Sequence, residues 1–340
     1  MLLSVDFPSW LKPEIIPGLP VRWYGLMYVF AFATAFLLYR RQVRERRFPL
    51  DDDQLYSLFT WGILWLILGA RLFYALVYSG GKYIRQPWLI FWPFEHGRFI
   101  GFMGMSYHGG AIAGLLAVII FAKVKKISFR EIGDMYAASV PLGYTFGRLG
   151  NFINAELYGR VTTGPLGMVF PKQSTRLLPA SEEWVRDAAE KTGAVVSGGY
   201  VNLPRHPSQL YEMLFEGIIL WAIIWFFRNR KPFKGFLMGL YFFGYGIFRF
   251  FIEYFREPDE DLGYRIEFVK SALSPAYAHP LFSFSTGQIL CFWMVVFGIV
   301  WTVVCSRLPG REPWVYNDEE GQADKASERN RRRQLRKKLR

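Results

Sequence analysis

The sequence predicts an all-α integral membrane protein with seven transmembrane helices, and three observations carry that prediction. Of 340 residues, 52% are hydrophobic and 19% aromatic, while only 20% are charged, against about 25% in an ordinary soluble domain. The apolar residues gather in runs long enough to cross a bilayer. Lys and Arg fall between those runs and favour one side. This composition excludes a secreted disulfide scaffold, a disordered chain and a coiled coil.

Residues 1–20 lack a basic leader region and carry Pro8, Pro13, Pro17 and Pro20, so they read as an extended or interfacial lead-in rather than a signal peptide. The expected spans are 21–39, 55–78, 104–122, 132–153, 210–227, 235–254 and 287–305. The fourth is the most polar, with Asp134, Pro141, Gly143, Gly147 and Arg148 inside it. Such a helix has to be surrounded by others. Charge counting supports keeping it. The connections 40–54, 123–131 and 228–234 carry five, four and four Lys plus Arg, and the chain beyond 305 carries eleven. Those segments share one side only with seven spans, which puts the N-terminus outside and the C-terminus in the cytoplasm.

Residues 1–305 then form a single membrane domain with outer segments 79–103, 157–207 and 255–286. Within 79–103, the run Pro87-Trp88-Leu89-Ile90-Phe91-Trp92-Pro93-Phe94 is too short to span and belongs in the headgroup layer. Residues 157–207 are the largest outer piece and have the makings of a small cap. The basic tail 306–340 is expected to be disordered or to lie on the inner leaflet. The net charge of +13 is explained by positive-inside topology and anionic lipid, with no nucleic acid as partner. Small residues four apart at Gly110/Gly114, Gly143/Gly147 and Gly235/Gly239 suit close helix packing. Cys291 and Cys305 fall in one apolar run, about 21 Å apart along a helix, too far for a disulfide. Four scattered His make no metal pattern, and no cofactor is implied.

With this orientation the polar residues inside spans collect in the outer half: Tyr24, Arg71 about 10 Å from the outer end of its helix, His108, then Arg148, Asn151 and Asn154, then His206, Gln209, Glu212 and Glu216, and last Tyr245, Arg249 and Glu253. The inner halves look almost purely apolar. Arg148 and Asn151 are three apart, Glu212 and Glu216 four apart, and Tyr245, Arg249 and Glu253 successive fours, so each set lines one helix face. Bland readings compete: a buried Arg249–Glu253 pair that only joins helices, a snorkelling Arg148, a packed His108. Several Arg beside Asn and Tyr donors at bilayer depth suit a phosphate headgroup. The absence of a Ser-His-Asp order or an aspartate pair favours group transfer over hydrolysis.

Five stretches are more specific. Gly147-Arg148-Leu149-Gly150-Asn151-Phe152-Ile153-Asn154-Ala155-Glu156-Leu157-Tyr158-Gly159 resembles the signature of the bacterial prolipoprotein diacylglyceryl transferases. So, in the same order along the chain, do Arg22-Trp23-Tyr24-Gly25-Leu26-Met27-Tyr28, Ser106-Tyr107-His108-Gly109-Gly110, His206-Pro207-Ser208-Gln209-Leu210-Tyr211-Glu212 and Arg249-Phe250-Phe251-Ile252-Glu253-Tyr254-Phe255-Arg256-Glu257-Pro258-Asp259. The resemblance covers about residues 15–305; segment 160–205 and the basic tail depart from it.

The resemblance implies transfer of the diacylglyceryl group of phosphatidylglycerol to the lipobox cysteine thiol of an exported prolipoprotein, at the outer face of the bacterial cytoplasmic membrane, with a thioether and glycerol 1-phosphate as products. A thiol with pKa near ~8.5 needs a base, and the leaving phosphate needs cations. His108 is the expected base, with Tyr24 as runner-up. Arg148 and Arg249 are expected on the phosphate, with Asn151, Asn154 and Tyr245 at the headgroup. Glu253 and Glu212 are expected to orient Arg249, with Glu156, Gly159, His206, Gln209 and Arg71 in support. The rival readings are a lipid or small-anion transporter, which requires polar residues continuing to the inner face, a non-catalytic scaffold, and a nucleic-acid-binding tail.

Overall fold

The computed structural model describes residues 4–16, 21–79, 81–92, 94, 95, 98, 99, 104–257, 264–267, 274, 276, 277, 280 and 282–308. The basic tail beyond 308, and parts of the expected outer segments 79–103 and 255–286, lie outside the described residues.

Helix α1 is Trp23–Arg46. Helix α2, Asp52–Phe73, starts on a capping box in which Asp51 and Gln54 satisfy each other's backbone N–H groups, and it runs on as a π-helical turn, Tyr74–Tyr78. Helix α3, Tyr107–Val124, is capped by Ser106. The predicted fourth span is two helices, α4 (Phe129–Ala137) and α5 (Val140–Ile153). Pro141 accounts for the break: it has no N–H to donate, and its ring would clash with the carbonyl four residues back. Ser139 Oγ donates to the Met135 carbonyl at 2.8 Å in the gap. Helix α6 (Glu183–Thr192) belongs to the segment between α5 and α7. Helix α7, Ser208–Phe227, contains a π-helical stretch at Met213–Ile219. Helices α8 (Phe236–Ile252) and α9 (Thr286–Arg307) are the last among the described residues, α9 starting on a Ser285–Gln288 capping box.

Among the described residues four helices are long and apolar enough to cross a membrane: Asp52–Tyr78, Tyr107–Val124, Ser208–Phe227 and Thr286–Arg307. Helix α8 is apolar but has 17 residues. The molecule is a mostly helical membrane protein.

Helices pair in antiparallel contacts set by small residues, as expected where lipid is as apolar as the side chains and van der Waals fit decides. A Cβ at Gly143 would come within 2.7 Å of the Ala31 carbonyl oxygen of α1, and one at Gly239 within 2.2 Å of Thr302 Oγ1 of α9. Gly147 faces open space, so not every predicted small-residue pair is a contact. Cys291 and Cys305 are free thiols buried in α9.

The two ends of the bundle differ. At the far end, where α1 and α3 finish, Tyr39, Leu55, Leu58, Phe59, Ala122, Ile132 and Met135 form the main apolar core. The other end carries a cap with its own core, Val161, Leu178, Val185, Ala188, Val201 and Leu203. Short strands organise it: Val5–Asp6 runs parallel to Met168–Val169, and Leu178–Pro179 pairs with Tyr200–Val201. Phe7 packs on Phe152 of α5 and Phe170 of the cap, at ring distances of 5.3 and 5.6 Å.

The far end is also polar, which corrects the expectation of purely apolar inner halves. Lys231 Nζ meets Asp134 Oδ2 at 2.6 Å with both side chains fully buried. The same carboxylate accepts the Gly235 and Met238 N–H groups at the start of α8, at 2.9 and 3.1 Å. Gln42 Nε2 donates to the Met135 carbonyl and to Ser139 Oγ. Each of these groups is tied to helix ends, so the cluster works as a clasp between α1, α4 and α8.

Candidate functional site

Three helices deliver charge to the capped end. On α5, Tyr144, Arg148 and Asn151 follow at spacings of four and three and share a face. On α7, Glu212 closes the first α-helical turns and Glu216 lies in the π-helical stretch. On α8, Tyr245 and Arg249 share a face, and Glu253 and Arg256 lie just past its end. The packing of α5 on α7 is intimate, since a Cβ at Gly217 would sit 2.2 Å from Thr145 Oγ1. This places the carboxylates of α7 between the cations of its neighbours.

Glu212 is the centre. Its Oε2 lies 2.6 Å from Arg148 Nε, and its Oε1 lies 3.0 Å from an Arg249 nitrogen and 2.8 Å from one of Arg256. Glu216 accepts the Tyr144 hydroxyl at 2.5 Å and lies 3.7 Å from Arg249. Glu253 approaches Arg249 at 3.5 Å and Arg256 at 3.6 Å, and it accepts the Ser285 hydroxyl at 3.2 Å. Three guanidinium groups thus face three carboxylates, which keeps the burial tolerable. Exposure is unequal. The Glu212 and Glu216 side chains are fully buried, whereas those of Arg148, Arg249 and Arg256 stay 15–17% exposed. The cations are thus the part of the cluster that keeps some exposure, while Glu212 and Glu216 keep none.

The neighbouring loop is built to hold that arrangement. Asn151 Nδ2 donates to Glu156 Oε1 at 2.9 Å, and Asn154 Nδ2 reaches the same oxygen at 3.3 Å. Gln209 Nε2 donates to the Glu156 carbonyl at 2.6 Å. Ala155 and Leu157 both take left-handed backbone angles, φ 53° and 54°, which non-glycine residues adopt at a cost. Gly159 has a different reason to be glycine: a Cβ there would lie 2.2 Å from the Phe255 carbonyl oxygen and 2.9 Å from His206. Its N–H donates to the His206 carbonyl at 2.8 Å, and the Arg160 N–H donates to the Phe255 carbonyl at 2.8 Å. The loop, the lead into α7 and the exit from α8 meet at that point.

The other predicted residues are more dispersed. Tyr24 packs beside Gly150, and its hydroxyl is 3.1 Å from that of Tyr28. The Tyr245 ring meets the Tyr144 ring edge-on at 6.1 Å. His206 sits outside the helix, its Nδ1 3.3 Å from the Tyr211 hydroxyl. Burial first, and then the nearby Arg160 cation, push its pKa below the ordinary imidazole range. His108 is exposed at the start of α3 and lines a cavity of about 330 Å³ with Tyr74, Tyr78, Met105, Ser106 and Tyr107. Among the described residues no hydrogen bond or ion pair joins it to the Arg–Glu cluster. Arg71 turns away from the cluster: it donates to the carbonyls of Ile90 at 2.5 Å and Gly104 at 3.1 Å and lies over the Tyr83 ring. It ties Tyr83, Ile90 and Gly104 to α2.

Three residues given no role from the sequence join the cluster. Tyr144 and Glu216 stand on the predicted faces, one turn from Arg148 and Glu212, and Arg256 lies two turns beyond Arg249. Arg205, fully buried, pairs with Glu257 at 2.6 Å and lies over Tyr158. It fastens the loop from behind.

Comparison with known proteins identifies a family. A family model described as prolipoprotein diacylglyceryl transferase matches residues 13–304. A protein of Treponema denticola is 54% identical over 314 residues, covering 87% of this chain and 93% of that one. One of Treponema pallidum is 51% identical, covering 88% and 94%, and one of Chlorobaculum tepidum is 40% identical with the same coverage. All three are named phosphatidylglycerol–prolipoprotein diacylglyceryl transferase.

Proposed function

The chain belongs to the prolipoprotein diacylglyceryl transferase family, and from that premise we propose how its charged cluster performs the first step of lipoprotein maturation. The reaction is transfer of the diacylglyceryl group of phosphatidylglycerol to a prolipoprotein. The acceptor is the lipobox cysteine of the signal peptide. Its thiol loses a proton to a base, and the thiolate forms a C–S bond at the glyceryl carbon that carries the phosphate. The C–O bond to phosphate breaks, its electron pair stays on oxygen, and glycerol 1-phosphate leaves as a phosphate monoester.

The phosphodiester carries one negative charge and the leaving monoester more, so cations gain most as the C–O bond breaks. Arg148, Arg249 and Arg256 supply them. Their convergence, with side chains 15–17% exposed, on the fully buried carboxylates of Glu212 and Glu216 is the observation that carries this reading. Asn151 and Asn154, braced on Glu156, hold headgroup oxygens. His108 takes the thiol proton from its neighbouring cavity, with Tyr24 as the alternative base. The bundle crosses the cytoplasmic membrane seven times, α4 and α5 together making the fourth passage, with the capped end outside. The basic connections at the far end support that orientation. The transporter reading gains nothing from the far-end polar cluster, because those groups are spent on helix ends.

The test is a mass assay. Purified protein, phosphatidylglycerol and a signal peptide with one lipobox cysteine are expected to give diacylglyceryl peptide and glycerol phosphate. Arg148→Ala, or a Cys→Ala peptide, is expected to give neither. No product from folded protein that binds the lipid would overturn the reading.

A further inference from the structure

Tyr144 fell outside the residues expected at the site, and it occupies the junction of the cluster. Arg148 Nε donates to its hydroxyl at 2.6 Å, and the Arg148 guanidinium lies 4.8 Å from its ring centre. The hydroxyl in turn donates to Glu216 Oε2 at 2.5 Å, with Glu212 Oε2 3.4 Å away. The polarity is consistent along the chain: Nε–H to Oη, Oη–H to carboxylate. We propose that Tyr144 is a positioning residue for Arg148, fixing the guanidinium through both ring and hydroxyl so that its Nη groups, one of which reaches Asn151 Oδ1 at 3.4 Å, are presented to the substrate phosphodiester. This rests on the reading of Arg148 as a phosphate ligand.

The argument turns on a competition. Arg148 Nε has one hydrogen and two acceptors at 2.6 Å, the Tyr144 hydroxyl and Glu212 Oε2. Glu212 is fully buried, so a guanidinium drawn wholly onto it would turn inward, and the Arg148 side chain would lose the 17% exposure it keeps. Nε stands as close to the hydroxyl as to Glu212 Oε2, so the hydroxyl competes with the carboxylate for its one hydrogen, and the ring beneath limits rotation of the plane. The α7 backbone is shaped to complete the arrangement. The π-helical stretch Met213–Ile219 carries Glu216, and Gly217 lets α7 press onto Thr145, the residue after Tyr144. Single π-helical turns inside α-helices are frequent at functional sites.

The experiment is a double-mutant cycle in the purified, detergent-solubilised full chain, with phosphatidylglycerol in mixed micelles and a lipobox peptide. Wild-type transfer is measured first, and its absence from folded protein counts against the transferase reading itself. Given wild-type transfer, Tyr144→Phe is expected to keep the melting temperature and lower kcat about tenfold, with KM for the lipid changed less than about threefold. In an Arg148→Lys background the same substitution is expected to cost less than about twofold, because the group it positions has gone. Should Tyr144→Phe lower the melting temperature, the comparison moves to Glu216→Gln with and without Tyr144→Phe, where no carboxylate is left lacking its donor. The tenfold loss is expected there too. Wild-type kcat in Tyr144→Phe, or an equal loss with and without the Arg148 guanidinium, would overturn the proposal.

Discussion

Arg256 donates to Glu212 Oε1 over 2.8 Å, so a cation lying past the end of α8 is held by the same carboxylate as Arg249 within it. Its backbone is bridged to Gly159. The signature loop and the third cation therefore move together, and the loop's fixed shape becomes a constraint on charge placement at the site.

Arg256→Ala is expected to lower transfer at least tenfold while leaving a folded protein. It removes one of three partly exposed cations and leaves Glu212 with two partners. Arg256→Lys is expected to recover only part of the loss, since an ammonium cannot contact Glu212 and Glu253 as the planar fork does. Steady-state transfer rates, compared at equal melting temperature, check this. Full activity in Arg256→Ala would remove the residue from the site.

Glu212→Gln is expected to be worse for stability than for any other single group in the cluster. Three guanidinium groups lose their common counter-charge in a buried setting, where breaking such a pairing costs about 3–5 kcal/mol. Glu253→Gln, with longer contacts of 3.5 and 3.6 Å and a side chain 10% exposed, is expected to cost less. Thermal unfolding of the two variants in the same detergent gives the order, and a reversed order would show that Glu212 is not the hub.

Gly159→Ala is expected to abolish activity without touching a charged group. The new methyl would overlap the Phe255 carbonyl oxygen, and backbone on both sides is locked by hydrogen bonds, so relief requires moving Arg256. Activity below about one hundredth of wild type is the expected result, with protease sensitivity increased in the cap. A fully active Gly159→Ala protein would mean the strands separate at no cost.

The sequence was informative where periodicity acts within one helix. Arg148 with Asn151, and Tyr245 with Arg249, share faces as their spacings require. Partnership between helices was less legible. Glu212 was assigned to Arg249 alone, yet it also holds Arg148 and Arg256, because three helices converge on one carboxylate and no local pattern encodes that. Arg71 was placed by depth, which says nothing of direction, and it faces loop carbonyls. The far-end clasp escaped notice because Asp134 and Lys231 are 97 positions apart. Pro141 was visible, but span length outweighed its meaning as a helix break.

His206 makes a pH prediction with a definite sign. Its imidazole is partly buried near Arg160, and both effects disfavour the cation, so its folded pKa lies below the ordinary value of about 6.5. Only the neutral ring has a nitrogen lone pair with which Nδ1, 3.3 Å from the Tyr211 hydroxyl, can accept its hydrogen bond. Between the lowered folded value and about 6.5 the unfolded chain binds more protons than the folded one, so folding stability rises with pH across that window. The contribution is fully present above about pH 6.5 and is lost as pH falls through the window toward the folded pKa. His206→Gln, which retains an acceptor for Tyr211, is expected to melt with less dependence on pH between about 7.5 and 5 than wild type. The difference between the two melting curves isolates this residue from the other titrating groups. Parallel pH profiles for the two proteins would mean that the ring reaches water freely and that Arg160 does not act on it.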